Sequence, residues 1–96
     1  MIVKTPMKVT LNVKVKYFAS IRESIGLGSE VLQTTAITLG QLRSELIARG
    51  GAYAESLDAA FKGSTLRMAL NQDMSDDDAV LLEGCEVAFF PPVTGG

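Results

Sequence analysis

Histidine is absent from this chain of 96 residues, and cysteine occurs once, at Cys85. The lack of histidine removes the commonest general base and metal ligand, and with it any Ser-His or Cys-His catalytic pair. A single cysteine excludes an internal disulfide and a metal site built from several cysteines. These absences argue against an autonomous enzyme, and we expect the chain to bind no metal and no cofactor of its own.

An excess of basic charge and long apolar runs are also missing. Nine Lys and Arg residues stand against eleven Asp and Glu residues, which gives a net charge of −2. Nucleic acids and anionic membranes usually bind basic surfaces, so neither is the expected partner. The chain has no run near the roughly 18 apolar residues of a membrane span, and its N-terminus lacks a signal-peptide pattern. We therefore expect a single cytoplasmic domain.

Strands are predicted where apolar and polar residues alternate, because successive side chains of a strand point to opposite faces. In the first strand, Val13, Val15 and Tyr17 point towards the core and Phe18 points away from it. The predicted strands cover residues 9–18, 29–35, 66–70 and 86–90, with a turn at residues 71–73.

A principal helix is predicted between the second and third strands. Thr38 and Gln41 match a capping box, which starts a helix that runs to about Arg49 and ends at Gly50-Gly51. Its buried stripe consists of Leu39, Leu42, Leu46 and Ile47. Shorter helices are predicted for residues 19–25 and 53–61.

The order of these elements predicts an α+β fold: a mixed sheet with one principal helix packed on one face. If the first and last strands are parallel neighbours, the topology is a ubiquitin-like β-grasp. The domain then covers residues 9–90, with a leader at 1–8 and an extended tail at 91–96. Phe18 and Phe90 would lie near the same end of the outer face. With Met74 and Arg22 they form a candidate partner interface, although exposed apolar residues are common on any protein.

The tail carries the predicted chemistry, and it consists of Pro91, Pro92, Val93, Thr94, Gly95 and Gly96. The two glycines have no Cβ and can thread a channel too narrow for other residues. The two prolines stiffen the exit from the sheet. The terminal carboxylate becomes reactive once it is activated, for example as an acyl-adenylate, and capture by sulfide or a persulfide then produces a thiocarboxylate. The Gly96 carboxylate is therefore the predicted reactive centre.

The sequence of residues 86–96, Glu-Val-Ala-Phe-Phe-Pro-Pro-Val-Thr-Gly-Gly, closely resembles the end of the small, sulfur-carrier subunits of molybdopterin synthase. Residues 15–23 and 70–72 resemble other parts of the same family, and the similarity covers about residues 9–96 in matching order. Two features depart from the family pattern. The leader before Val9 is longer, which leaves both Met1 and Met7 as candidate starts, and Cys85 stands where an aspartate is expected.

The resemblance implies a β-grasp fold and a cycle of sulfur transfer. An enzyme related to ubiquitin-activating enzymes adenylates the Gly96 carboxylate with ATP, and a sulfurtransferase converts it to a thiocarboxylate. The tail then enters the large subunit of molybdopterin synthase, where sulfur passes to cyclic pyranopterin monophosphate. The family complex is a heterotetramer with two large subunits, which would supply the catalytic side chains.

Other interpretations of the same residues remain open. The chain could be a protein modifier that forms isopeptide bonds through Gly96, or a sulfur carrier for thiamine or another metabolite. Cys85 could relay sulfur, but a lone cysteine without basic neighbours is usually inert. The acidic run at residues 76–78 lacks the glycine and glutamate of a calcium loop, so a solvated loop is expected there.

Overall fold

The computed structural model describes residues 10–58 and 66–91. The predicted leader, the predicted helical residue Phe61 and the tail residues Pro92 to Gly96 therefore lie outside the described part of the chain. Pro91 is the one tail residue within it.

The described residues form strands and helices close to those predicted. In chain order they are β1 (Leu11–Tyr17), α1 (Ala19–Ile25), β2 (Ser29–Thr34), α2 (Leu39–Ile47), α3 (Gly51–Leu57), β3 (Arg67–Leu70), β4 (Asp73–Ser75) and β5 (Glu86–Phe90). None of the helices in these ranges is long and apolar enough to cross a membrane.

The five strands form one mixed sheet in the order β2-β1-β5-β3-β4. The first and last strands are parallel neighbours, with Val15 opposite Val87, whereas the other pairs are antiparallel. This arrangement is the predicted β-grasp. Strand β4 was not predicted: Asn71 and Gln72 have φ of 49° and 72°, and this two-residue hairpin turn returns Asp73 to the sheet.

The core lies between α2 and one face of the sheet, which we call the inner face. Three leucines of α2, Leu39, Leu42 and Leu46, are at most 1% exposed, as the helical pattern predicted. They pack in one cluster with the inner-face residues Val13, Val15, Tyr17, Met68, Val87 and Phe89. Burial of this stripe is the main stabilising term for the helix, because a nine-residue helix is marginal by itself.

The ends of the helices differ slightly from the predicted ones. Gln41 donates its backbone N–H to Thr38 Oγ1 at 3.3 Å, and its side-chain oxygen accepts the backbone N–H of Ile37 at 2.8 Å. The α2 helix ends at Ile47, before the predicted Arg49. The next helix, α3, begins at Gly51 and so before the predicted start at Tyr53. Gly50 and Gly51 have positive φ values of 77° and 54°, and the chain changes direction there.

The loop after β4 packs closely against the first turn of α2. The backbone N–H of Gly40 donates to the carbonyl of Asp77 at 3.0 Å. A Cβ added at Gly40 would lie 2.9 Å from the Asp77 Cβ, which is too close for a carbon–carbon contact. Glycine at this position therefore permits the loop and the helix to approach.

Candidate functional site

The strand that leads to the tail lies in the middle of the sheet. Strand β5 pairs with β1 on one side and with β3 on the other. Its Val87, Ala88 and Phe89 are buried, and Pro91 continues the chain directly after Phe90. The tail is therefore attached to a strand that is held along both edges.

Two phenylalanines lie at this end of β5. The rings of Phe18 and Phe90 stack with their centroids 4.8 Å apart and their planes 12° from parallel. The Phe18 backbone N–H donates to the carbonyl of Phe89 at 3.2 Å, which extends the β1–β5 ladder by one step. Phe18 is 39% exposed. The structure thus brings together the two aromatic residues that the alternation predicted, and their role as a partner interface stays a prediction.

The other two predicted interface residues, Met74 and Arg22, do not take part in the ring stack. Met74 is on the outer face two strands from β5, and Arg67, on the strand between them, is opposite Phe90 in the β3–β5 register. Met74 is 58% exposed. Arg22 covers the turn between α1 and β2, where a Cβ on Gly28 would lie 3.3 Å from its Nε atom.

Between these residues, the outer face of the sheet carries small side chains. Ala88 of β5 lies opposite Ala69 of β3, which in turn lies opposite Met74 of β4. Lys16 is opposite Ala88 on the other side and forms an ion pair with Glu86 at 3.5 Å. Both alanines are buried, at 3% and 6% exposed, so they add little accessible apolar surface next to the ring pair, and Lys16 and Arg67 place basic side chains beside them.

A polar cluster on the inner side of β2 was not predicted from the sequence. The carboxylate of Glu30 accepts the hydroxyl of Tyr17 at 2.7 Å, the hydroxyl of Tyr53 at 2.9 Å and the guanidinium of Arg49 at 3.1 Å. Glu30 therefore points to the inner face of the sheet, and the next residue, Val31, points outward and is 70% exposed. The alternation gives no signal for this arrangement, since its partners come from three other segments of the chain.

The electrostatics of this cluster favour an ionised carboxylate between neutral tyrosines. Partial burial tends to raise the pKa of Glu30, but the hydrogen bonds from Tyr17, Tyr53 and Arg49 outweigh it and hold the pKa below its usual value. Burial, followed by the hydrogen bond to Glu30, raises the pKa of Tyr17. The Tyr17 ring also stacks on Phe89 at 6.2 Å. The cluster therefore ties β2 and α3 to the strand that leads to the tail.

A second group of exposed apolar side chains lies near the start of α2. Ile37, Val80 and Leu82 are 62%, 57% and 64% exposed. Their two segments are joined by a bridge between Thr38 and Val80 and by a hydrogen bond from the Leu81 N–H to the Ile37 carbonyl at 2.9 Å. These residues were not assigned to a surface from the sequence, because their exposure depends on how the two segments meet.

Cys85 is buried in the hydrophobic core and is 4% exposed. Its backbone carbonyl accepts the N–H of Lys14 at 3.0 Å, so the residue is held next to β1. Within residues 10–58 and 66–91, no group of three or more His, Cys, Asp or Glu side chains is placed to hold a metal ion.

Comparison with known proteins gives a consistent result. The model of the ThiS family matches residues 15–96. The chain is 37% identical over 84 residues to the molybdopterin synthase sulfur carrier subunit of Escherichia coli, which covers 88% of this chain and 99% of that protein. It is 38% identical over 82 residues to the protein of the same name from Haemophilus influenzae, covering 85% of this chain and 96% of that protein.

Solved structures share the fold. SAMP1 from Haloferax volcanii superposes with a TM-score of 0.70 at 24% identity, covering 88% of this chain and 99% of that one. A chain of the complex of subunits 1 and 2 of the molybdopterin-converting factor from Helicobacter pylori superposes with a TM-score of 0.57 at 28% identity, covering 90% of this chain and 100% of that one.

Proposed function

The chain belongs to the ThiS family, and from this premise we propose that it is the sulfur-carrier subunit of molybdopterin synthase. The observation that carries the proposal is its 37% identity to a protein of that name over 99% of that protein's length. The diglycine ending fits the same role, because the carrier's cargo would be attached at its terminal carboxylate.

The proposed cycle begins with activation of Gly96. An adenylyltransferase joins the carboxylate to AMP from ATP, with release of pyrophosphate. Sulfide, or the terminal sulfur of a sulfurtransferase persulfide, then attacks the acyl carbon and displaces AMP. The persulfide route forms an acyl disulfide, which a thiol reduces to the free thiocarboxylate. This chain provides the acyl group, and its partners provide the side chains that act on it.

The carrier then delivers sulfur to the large subunit of molybdopterin synthase. Its tail, Pro91 to Gly96, enters the active site, and the sulfur passes to cyclic pyranopterin monophosphate. A dithiolene needs two sulfur atoms, so a heterotetramer with two carriers and two large subunits is proposed. The complex of subunits 1 and 2 from Helicobacter pylori supports a partner of this kind.

The outer face beside the tail is proposed to dock on the large subunit. Phe18 and Phe90 form its aromatic centre, and Met74 and Arg22 lie further out. Aromatic residues at the centre of an interface commonly carry much of its binding energy. This aromatic centre is next to the last described tail residue, so docking there would direct the tail towards the partner's active site.

Intact-mass spectrometry tests the proposal. The chain is incubated with the adenylyltransferase, ATP and a sulfur source. The expected product carries one sulfur in place of one oxygen, and fragmentation assigns the change to Gly96. The chain lacking Gly96 is the matched control. Molybdopterin formation supported by that shortened chain would contradict the mechanism.

Two further readouts, a search for lysine-linked adducts and an assay of dithiolene formation with the large subunit, separate the alternative functions. A protein modifier would give adducts linked to lysine side chains through Gly96. A carrier for thiamine or another metabolite would form the thiocarboxylate, but it would not support dithiolene formation with the large subunit.

A further inference from the structure

The chain turns sharply between β1 and α1, directly after Phe18. Ala19 has a φ of 50°, which is the left-handed region of backbone conformation. Phe18 itself is extended, with φ of −122° and ψ of 153°. One residue with an unusual conformation therefore joins the end of an extended strand to the first turn of a helix.

Alanine is a poor choice for this conformation by itself. Its Cβ approaches the following carbonyl oxygen in the left-handed region, which glycine avoids and asparagine tolerates. The Ala19 side chain is exposed, so burial of its methyl group does not offset this cost. Such strain persists when the surrounding contacts determine the conformation.

The contacts that hold this conformation are those of Phe18. Its N–H donates to the Phe89 carbonyl at 3.2 Å, and its own carbonyl accepts the N–H groups of Ile21 at 3.1 Å and Arg22 at 3.3 Å. Phe18 is therefore fixed to β5 on one side and to α1 on the other. With the backbone turned in this way, its ring lies on Phe90.

We propose that Ala19 is a positioning residue of the docking surface. Its left-handed backbone turns α1 back so that Ile21 and Arg22 can donate to the Phe18 carbonyl. With the hydrogen bond from Phe18 to β5, these contacts hold the Phe18 ring against Phe90 in the free chain, so that the aromatic centre is formed before a partner binds. A surface that is ordered in advance loses less conformational freedom on association, which increases affinity. This inference rests on the proposed function in one respect, namely that the partner is the large subunit of molybdopterin synthase.

Two substitutions of similar size separate backbone conformation from side-chain volume. Ala19→Asn introduces a residue that tolerates a positive φ, whereas Ala19→Val introduces a β-branched residue that does not. The same pair at Ser20, which is exposed and lies in the same helix, is the control. We expect Ala19→Val to weaken binding to the purified large subunit about tenfold, and Ala19→Asn to stay within about twofold. Neither Ser20 variant should change the affinity by more than about twofold.

A second measurement concerns the free chain alone. In NMR spectra, the wild type and Ala19→Asn should show contacts between the two phenylalanine rings and upfield shifts of their ring protons. Ala19→Val should lose both. This measurement tests the role of Ala19 without the large subunit. A wild-type chain that does not bind the large subunit would contradict the proposed function, and the NMR result would still test the role of Ala19.

A double variant tests whether Ala19 acts through Phe18. Once Phe18→Ala has removed the ring, adding Ala19→Val should cost no further affinity. The inference is overturned if Ala19→Val retains the ring contacts and the wild-type affinity, or if it weakens binding equally with and without the Phe18 ring. A loss of stability by Ala19→Val without any change in affinity would likewise assign Ala19 a purely structural role.

Discussion

The ring of Phe18 lies flat against the ring of Phe90, although one residue follows the first strand and the other ends the last. Because β1 and β5 pair in parallel, the C-terminal ends of the two strands lie side by side at the same end of the sheet. An aromatic surface consequently lies next to Pro91, the last residue that the structure describes.

Truncation of this ring pair should affect binding more than folding. Phe90→Ala is expected to weaken binding to the large subunit by about 2 kcal/mol, or roughly thirtyfold, if the pair is the centre of the interface. Because the rings lie at the surface, the free energy of unfolding should fall by only about 1–2 kcal/mol. Titration calorimetry and urea denaturation measure the two quantities.

The control for this variant is Val31→Ala on the same face of the sheet. Val31 is 70% exposed on the edge strand β2, away from the ring pair. Its truncation should change stability and affinity by less than about 0.5 kcal/mol. Wild-type affinity of Phe90→Ala would show that the partner binds elsewhere.

Gly40 should not accept a side chain, although it lies in a helix. The substitution Gly40→Ala would gain about 1 kcal/mol of helix propensity. It would also place the new Cβ 2.9 Å from that of Asp77. Relief of this contact requires the loop to move away from α2, so we expect a net loss of about 1–2 kcal/mol in the free energy of unfolding. Thermal and urea denaturation provide the measurement.

A second substitution identifies the cause of that loss. Asp77→Gly removes the Cβ that the new methyl group would meet, so the pair Gly40→Ala and Asp77→Gly should be less destabilised than the sum of the single variants. Strict additivity of the two effects would indicate that the contact with the Asp77 side chain is not the reason for glycine at this position.

The Glu30 cluster predicts a loss of stability in acid. The pKa of Glu30 in the folded chain is below its ordinary value of 4.5. Between these two pKa values, the unfolded chain therefore binds more protons than the folded chain does. The contribution of Glu30 is complete above pH 4.5 and is lost as the pH falls through the lower pKa of the folded state. We expect Glu30→Gln to cost about 2 kcal/mol at neutral pH and less in acid.

Urea denaturation at a series of pH values checks this expectation. Tyr53→Phe removes one of the three donors to Glu30 and should reduce the dependence on pH without abolishing it. If the wild type and Glu30→Gln lose stability in parallel as the pH falls from neutrality into acid, the carboxylate is not the group responsible.

Cys85 should be dispensable for sulfur transfer, because its thiol is buried in the core. Cys85→Ala is expected to lower the free energy of unfolding by about 1 kcal/mol and to leave thiocarboxylate formation at Gly96 intact. Intact-mass spectrometry of the folded variant measures the product. A folded Cys85→Ala chain that accumulates no thiocarboxylate would show that Cys85 relays the sulfur.

The sequence predicted the parts of the fold that depend on regular spacing. Alternation located β1 and β5, and it assigned Phe18 and Phe90 to the face away from the core. The helical stripe of α2 was also correct, because its buried leucines recur every three or four residues. These features follow from local geometry and from burial of one face.

Other features depend on contacts between distant segments and left no pattern to recognise. Strand β4 has three residues, and Met74 is its one apolar side chain, so alternation could not reveal it. Glu30 points inward because donors from β1, α3 and the turn after α2 meet its carboxylate. The left-handed conformation of Ala19 had no signal either, since alanine gives no indication of a positive φ. The chemistry assigned to Gly96 lies outside the described residues and rests on the tail sequence and on the family.

Strand β5 also determines how the fold responds to force. If the tail enters a partner as proposed, its withdrawal would pull on β5 through Pro91, and a pull directed along the strand axis would load the pairing on both of its sides. Hydrogen bonds to β1 and β3 run across that axis on both sides, so they are loaded in shear and share the tension. A strand at the edge of the sheet could be peeled away one bond at a time. The central position of β5 would therefore suit the carrier to the repeated insertion and removal of its tail that the proposed cycle requires.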